Sequence, residues 1–144
     1  MSETRLHPET GQLLRRGVRP RILSAGSLSR TVDVPGWYPD GEGDSIHSGA
    51  DLKAADMAFQ ELRAAYAGRV RAVRKRLKLT QEEAGRIIGG GRRAFQKYES
   101  GAVPPSDAAV GLLEILDRHP EEVETLRRLR DAAPSRSPRR TAAT

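Results

Sequence analysis

Four long polar side chains, Arg92, Arg93, Gln96 and Lys97, stand close together in the chain. Each is of a type that reads base edges in a DNA groove, Arg and Lys through guanine and Gln through adenine. In a helix over 92–100 the pairs 92/96 and 93/97 are i, i+4 neighbours, so the four share one face. Phe95 and Tyr98, three apart, lie on the other side and belong to a core. A plain solvated face has the same composition, so the surroundings must decide between the two readings. Arg93 and Lys97 occupy the middle of the face and are the first choice for base contacts. Arg92 and Gln96 are the second choice.

The surroundings are those of two short helices across a turn. Thr80 followed by Glu83 is a capping box, which starts a helix at Gln81 with Ala84, Ile87 and Ile88 on its apolar side. Gly89, Gly90 and Gly91 stop that helix. Gly101 is placed to cap the second helix. This is the helix-turn-helix plan, in which the second helix enters the major groove. Thr80 and Gln81 sit where a phosphate would be held. Arg74, Lys75 and Lys78 add phosphate contacts or a solvated basic face, the two being equally open. The chain carries a net charge of +6, but residues 68–103 alone hold ten Lys/Arg against three Asp/Glu, leaving +7. The positive excess is therefore local, which favours an anionic partner there.

The run 79–101, LTQEEAGRIIGGGRRAFQKYESG, resembles the DNA-binding domain of the MqsA-type antitoxins, a branch of the Xre-like helix-turn-helix family. Gly89, Gly90, Gly91, Ala94, Phe95, Lys97, Tyr98, Glu99 and Gly101 match that branch's pattern, and LLEILDRHPE over 112–121 matches a second segment. The resemblance implies a mainly α fold, with a small N-terminal β-hairpin module ahead of a five-helix Xre-like helix-turn-helix domain. It further implies a homodimer on double-stranded operator DNA. A ribonuclease toxin of the MqsR type would be bound by the N-terminal module, and the antitoxin would repress its own operon. The alternative is a stand-alone Xre-like transcriptional regulator with no toxin partner.

Other chemistries fare worse. With no cysteine and three scattered histidines there is no nucleophile–base pair at a recognisable spacing, so no enzyme is expected. His47 beside Asp44 and Ser45 is the nearest approach to a catalytic cluster. Many members of the resembled family carry a zinc module of two C-x-x-C pairs. In this chain His7, Thr10, Pro39 and Glu42 fall at those places, which cannot complete a four-coordinate site, so neither zinc nor another cofactor is expected. Asp40, Glu42, Asp44 and Asp51 follow a calcium-loop count, but Ser45 stands where that loop needs Gly. No segment approaches the roughly 18 apolar residues of a membrane span, and no apolar signal core opens the chain, so a cytoplasmic protein is expected.

The rest of the chain fills in around this. Residues 1–14 are polar and should hold little regular structure. Residues 18–23 and 28–34 read as a β-hairpin ended by Pro35 and Gly36. Residues 36–49 read as a loop carrying Trp37 and Tyr38, which are either a satellite core or a partner-binding spot. Leu52, Ala55, Phe59, Leu62, Ala65 and Tyr66 mark an amphipathic helix, with a break expected at Ala67 and Gly68. A helix over 69–77 would open the DNA-binding domain. Two more follow, one capped by Ser106 and one starting at Pro120. Their apolar stripes, over 112–129, are either core or the dimer face. The expected divisions are 1–67, 68–131 and a disordered basic tail over 132–144.

Overall fold

A computed structural model describes residues 3–132 of the chain. Ala132 closes the last helix, and the rest of the segment expected as a basic tail lies outside the described residues. Two compact units divide between Tyr66 and Ala67.

The first unit begins with an antiparallel sheet of order β1-β2-β3, formed by Thr4–Leu6, Leu13–Ala25 and Leu28–Pro39. Ala25 pairs with Leu28 across a two-residue turn, and the ladder runs down to Leu14 opposite Pro39. The strands are longer than the pattern of β-branched residues suggests, and β1 forms in a stretch that reads as polar coil. Pro35 and Gly36 do not end β3. They pair with Val18 and Gly17. Pro is tolerated because β3 is an edge strand. Gly36 is needed for space, since a Cβ there would collide with the ring of His47. Trp37 and Tyr38 therefore lie on a strand rather than in a loop.

Helix α1, Gly49–Arg76, starts at a reciprocal cap: Ser48 N–H donates to Asp51 and Asp51 N–H donates to the Ser48 hydroxyl, at 3.0 and 3.1 Å. Ala55, Ala58, Leu62 and Tyr66 are its buried apolar positions in the first unit, which also buries Leu14, Val34 and Pro39. The helix does not break at Ala67 and Gly68. One exposed Gly costs about 1 kcal/mol in a helix interior. Tyr66, Ala67 and Val70 are buried on either side of it, and their packing offsets that cost.

The second unit packs the end of α1 with α2 (Gln81–Ile87), α3 (Ala94–Ser100), α4 (Asp107–Arg118), a single 3₁₀ turn (Pro120–Glu122) and α5 (Val123–Ala132). Its core is Val70, Val73, Leu79, Ala84, Ile87, Phe95, Leu113 and Leu116, and Phe95 is fully enclosed. The capping box forms as the sequence requires, with Glu83 N–H to the Thr80 hydroxyl at 3.1 Å and Thr80 N–H to the Glu83 carboxylate at 3.0 Å. That backbone donor holds the Glu83 carboxyl below its ordinary range. Gly101 takes the left-handed conformation at the end of α3, and Ser106 caps α4 through the N–H of Ala109. The α2–α3 turn depends on Gly90. Its φ is +96°, and a Cβ there would stand 2.7 Å from both Ala94 Cβ and Tyr98 Oη.

Candidate nucleic-acid interface

Helix α3 is two residues shorter than its sequence pattern suggests. Ala94 N–H bonds to the Gly91 carbonyl, which leaves Arg92 in the preceding turn and Arg93 at the N-cap. The intended 92/96 pair on one helix face is therefore lost, while Lys97 N–H still bonds to the Arg93 carbonyl at 3.3 Å and keeps the 93/97 relation. Ala94, Phe95 and Tyr98 are buried, with the Phe95 and Tyr98 rings edge to face at 5.3 Å. That inward side leaves Arg93, Gln96 and Lys97 exposed together.

The basic residues fall into two sets. Arg69 bonds to Glu114 and Asp117, Arg76 to Asp117, Arg86 to Asp131 and Arg92 to Glu82. Arg74 makes a two-pronged pair with Glu99 at 2.6 and 2.9 Å and donates to the Leu79 carbonyl at 2.9 Å. With side chains only 12 % and 6 % exposed, this pair is structural, so Arg74 is not free to grip a phosphate. Arg93 and Lys97 have no ion-pair partner among the described residues, and neither have Lys75 and Lys78. Thr80 is exposed, and its hydroxyl oxygen accepts the Glu83 N–H of the cap, which leaves its O–H as a donor. Gln81 is half-buried and donates its amide to Glu99 at 3.2 Å. Arg71, Arg74, Gln81, Gln96, Glu99 and Ser100 line a polar cleft of about 330 Å³ beside the α3 face. Glu99 stands out in the sequence only as a member of the family pattern, and its place in this cleft is not legible there because its partners Arg74 and Gln81 are remote in the chain.

In the sheet unit Trp37 and Tyr38 are half-buried. Arg5 and Arg16 lie over the Trp37 ring at 5.5 and 5.6 Å, and Arg19 lies over Tyr38 at 4.6 Å. Tyr38 Oη donates to the Val34 carbonyl at 2.6 Å. These contacts make the two aromatics part of the sheet's packing. Trp37 shares its face of the sheet with Arg16, Val18 and Ile22, and the last two are 59 % and 75 % exposed, whereas Tyr38, opposite Arg15, lies on the other face. The periodicity of β2 gave no hint of this exposure.

The places of the resembled family's zinc ligands do not suit a metal. His7 Nδ1 accepts the N–H groups of Glu9 and Thr10 at 3.1 and 3.3 Å, and Thr10 Oγ1 accepts Gln12 N–H at 3.2 Å. Pro39 has no ligating side-chain atom, and its carbonyl accepts from Arg19. His47 bridges Ser45 and the Pro35 carbonyl, both at 2.8 Å, which ties the loop to β3. Asp51, counted in the calcium pattern, is committed to Arg16 and Ser48.

Comparison with known proteins places the chain in a class. Residues 40–127 match the family model described as the antitoxin component of bacterial toxin-antitoxin system, MqsA. The class is that of toxin–antitoxin antitoxins. The match covers more than half of the chain, which belongs to the MqsA antitoxin family. A 55-residue segment is 49 % identical to "Antitoxin MqsA" of Escherichia coli (strain K12), covering 38 % of this chain and 42 % of that protein. The chain thus spans less than half the length of the curated relative it matches. No helix among the described residues is long and apolar enough to cross a membrane.

Proposed function

We propose that the chain is a sequence-specific DNA-binding antitoxin that represses its own operon and binds a ribonuclease toxin through the sheet unit. One observation carries the DNA reading: α3 buries one side and leaves Arg93, Gln96 and Lys97 exposed, with both cations unpaired among the described residues. On this reading α2, the glycine turn and α3 are a helix-turn-helix of Xre-like type. Arg93 and Lys97 contact base edges, assisted by Gln96. Arg92 reaches the phosphates once its exposed pair with Glu82 yields, such pairs being weak. Thr80 and Gln81 stand at the phosphate backbone beside α3. The functional divisions are 1–67 for the toxin and 68–131 for DNA.

A homodimer on a palindromic site follows from the small area that one such unit buries. Ile115 and Leu129, at 54 and 58 % exposed on α4 and α5, are the apolar residues offered to a second copy. The toxin surface is the exposed part of the sheet around Val18 and Ile22 with Trp37 on their face, and Tyr38 on the opposite face of the same strand. A cytoplasmic location suits all of these partners.

The test is binding of the full chain to a duplex from its own upstream region across a salt series. A dimer making about ten phosphate contacts gives a log–log slope near −9. A flat dependence would remove DNA as the partner. Co-purification with the product of the neighbouring gene tests the toxin arm.

A further inference from the structure

We infer that Glu99 is a positioning residue, which fixes the Gln81 amide so that one of its N–H bonds is held outward as a donor to a phosphate oxygen of the DNA backbone. The inference rests on the DNA reading above and adds to it the atom that donates and the group that orients it.

Three side-chain donors converge on one buried carboxylate. Glu99 accepts from Arg74 Nε at 2.6 Å, from Arg74 Nη2 at 2.9 Å and from Gln81 Nε2 at 3.2 Å. An ionised carboxylate only accepts, so it forces the nitrogen end of the Gln81 amide toward itself. The amide nitrogen carries two hydrogens in a fixed plane. With one on Glu99, the other is turned away from it and stays available. Without Glu99 the amide has two flip states, of which one presents an acceptor that a phosphate repels.

The electrostatics of the cleft suit an anion despite the carboxylate. Arg74 neutralises Glu99, its third nitrogen, Nη1, donates to the Leu79 carbonyl at 2.9 Å, and its side chain is only 12 % exposed. Arg74 is thereby a fixed counter-charge and not a ligand. Arg71 lines the same cleft, is exposed, and has no ion-pair partner among the described residues. A cation beside an oriented neutral donor grips a phosphate without reading sequence.

The experiment uses the full chain, a duplex from its own upstream region and a mixed-sequence duplex. Gln81→Ala should weaken binding to both by the same factor, about tenfold, as expected for a lost hydrogen bond to a charged group. The salt slope should not change, because the lost donor is neutral. Glu99→Gln should weaken the otherwise unaltered chain by a similar factor and add nothing in the Gln81→Ala background. In the 15N-labelled chain without DNA, the two amide protons of Gln81 should be widely separated in shift, and Glu99→Gln should bring them together. Should Glu99→Gln fail to fold, the Gln81→Ala affinities and the splitting in the unaltered chain still decide. Additive losses, a Gln81→Ala chain that binds as tightly as the original, or a collapsed splitting in the unaltered chain would each overturn the positioning role while leaving DNA binding standing. An unaltered chain that binds neither duplex would overturn the DNA reading and this inference with it.

Discussion

Arg16 on β2 and Asp51 in the first turn of α1 form a two-pronged ion pair at 2.9 and 2.5 Å across 35 positions of chain. Asp51 is 6 % exposed and also takes the Ser48 N–H at 3.0 Å. One carboxylate thus caps the helix and fastens it to the sheet. The Arg16 guanidinium, and after it the Ser48 N–H, hold the Asp51 carboxyl well below the usual carboxylate range. Arg16 also stacks on Trp37, so the chain's single tryptophan reports on this junction.

The pH dependence follows from the sign of that shift. A carboxyl depressed in the folded state contributes stability that is present above its unfolded value, about 3.9 for Asp, and lost as the pH falls below it. The Trp37 fluorescence melt of the full chain should move to lower temperature from about pH 4 downward. Asp51→Asn should lower the melt at neutral pH and flatten this acid limb. An acid limb of unchanged steepness in Asp51→Asn would assign it to other carboxylates.

Arg93→Ala should weaken binding to the upstream duplex by about 1–3 kcal/mol and affect mixed-sequence DNA far less, because a base contact is lost. A competition assay on the two duplexes measures the difference. Equal losses would make Arg93 a phosphate contact.

Phe95→Ala should destabilise the helical unit by about 3–5 kcal/mol, since a fully enclosed ring leaves a cavity behind. Helical circular dichroism during urea unfolding is the readout. An unshifted midpoint is incompatible with Phe95 at the centre of the core.

Gly90→Ala should be more damaging than Gly111→Ala. The first places a Cβ against Ala94 and Tyr98 at a φ of +96°, whereas the second meets open space in α4. Gly111→Ala should raise the melting temperature slightly, as alanine favours a helix by about 1 kcal/mol over glycine. If both variants melt alike, the turn tolerates a side chain and the close approach of α2 to α3 is not required.

What the sequence determined by itself was local. The Thr80–Glu83 box, the glycine turn, the Gly101 cap, the Ser106 cap and the inward placement of Phe95 depend on residues three or four apart, and such spacings are visible in one dimension. The family was legible for the same reason, because its motif lies within one short run. The tertiary structure decided what neighbours could not. It carried β3 through Pro35 and Gly36, because pairing with β2 and the fit against His47 outweigh two residues that usually end a strand. It carried α1 through Gly68, where burial on both sides offsets one unfavourable residue. It also divided a run of similar cations into two kinds. Arg74 is locked to Glu99 and Arg69 to Glu114, while Arg93 and Lys97 stand unpaired among the described residues. Composition counts all of these as equal charges. Only the fold brings a carboxylate to some of them, and a charge acts on an outside partner when no such neighbour has claimed it.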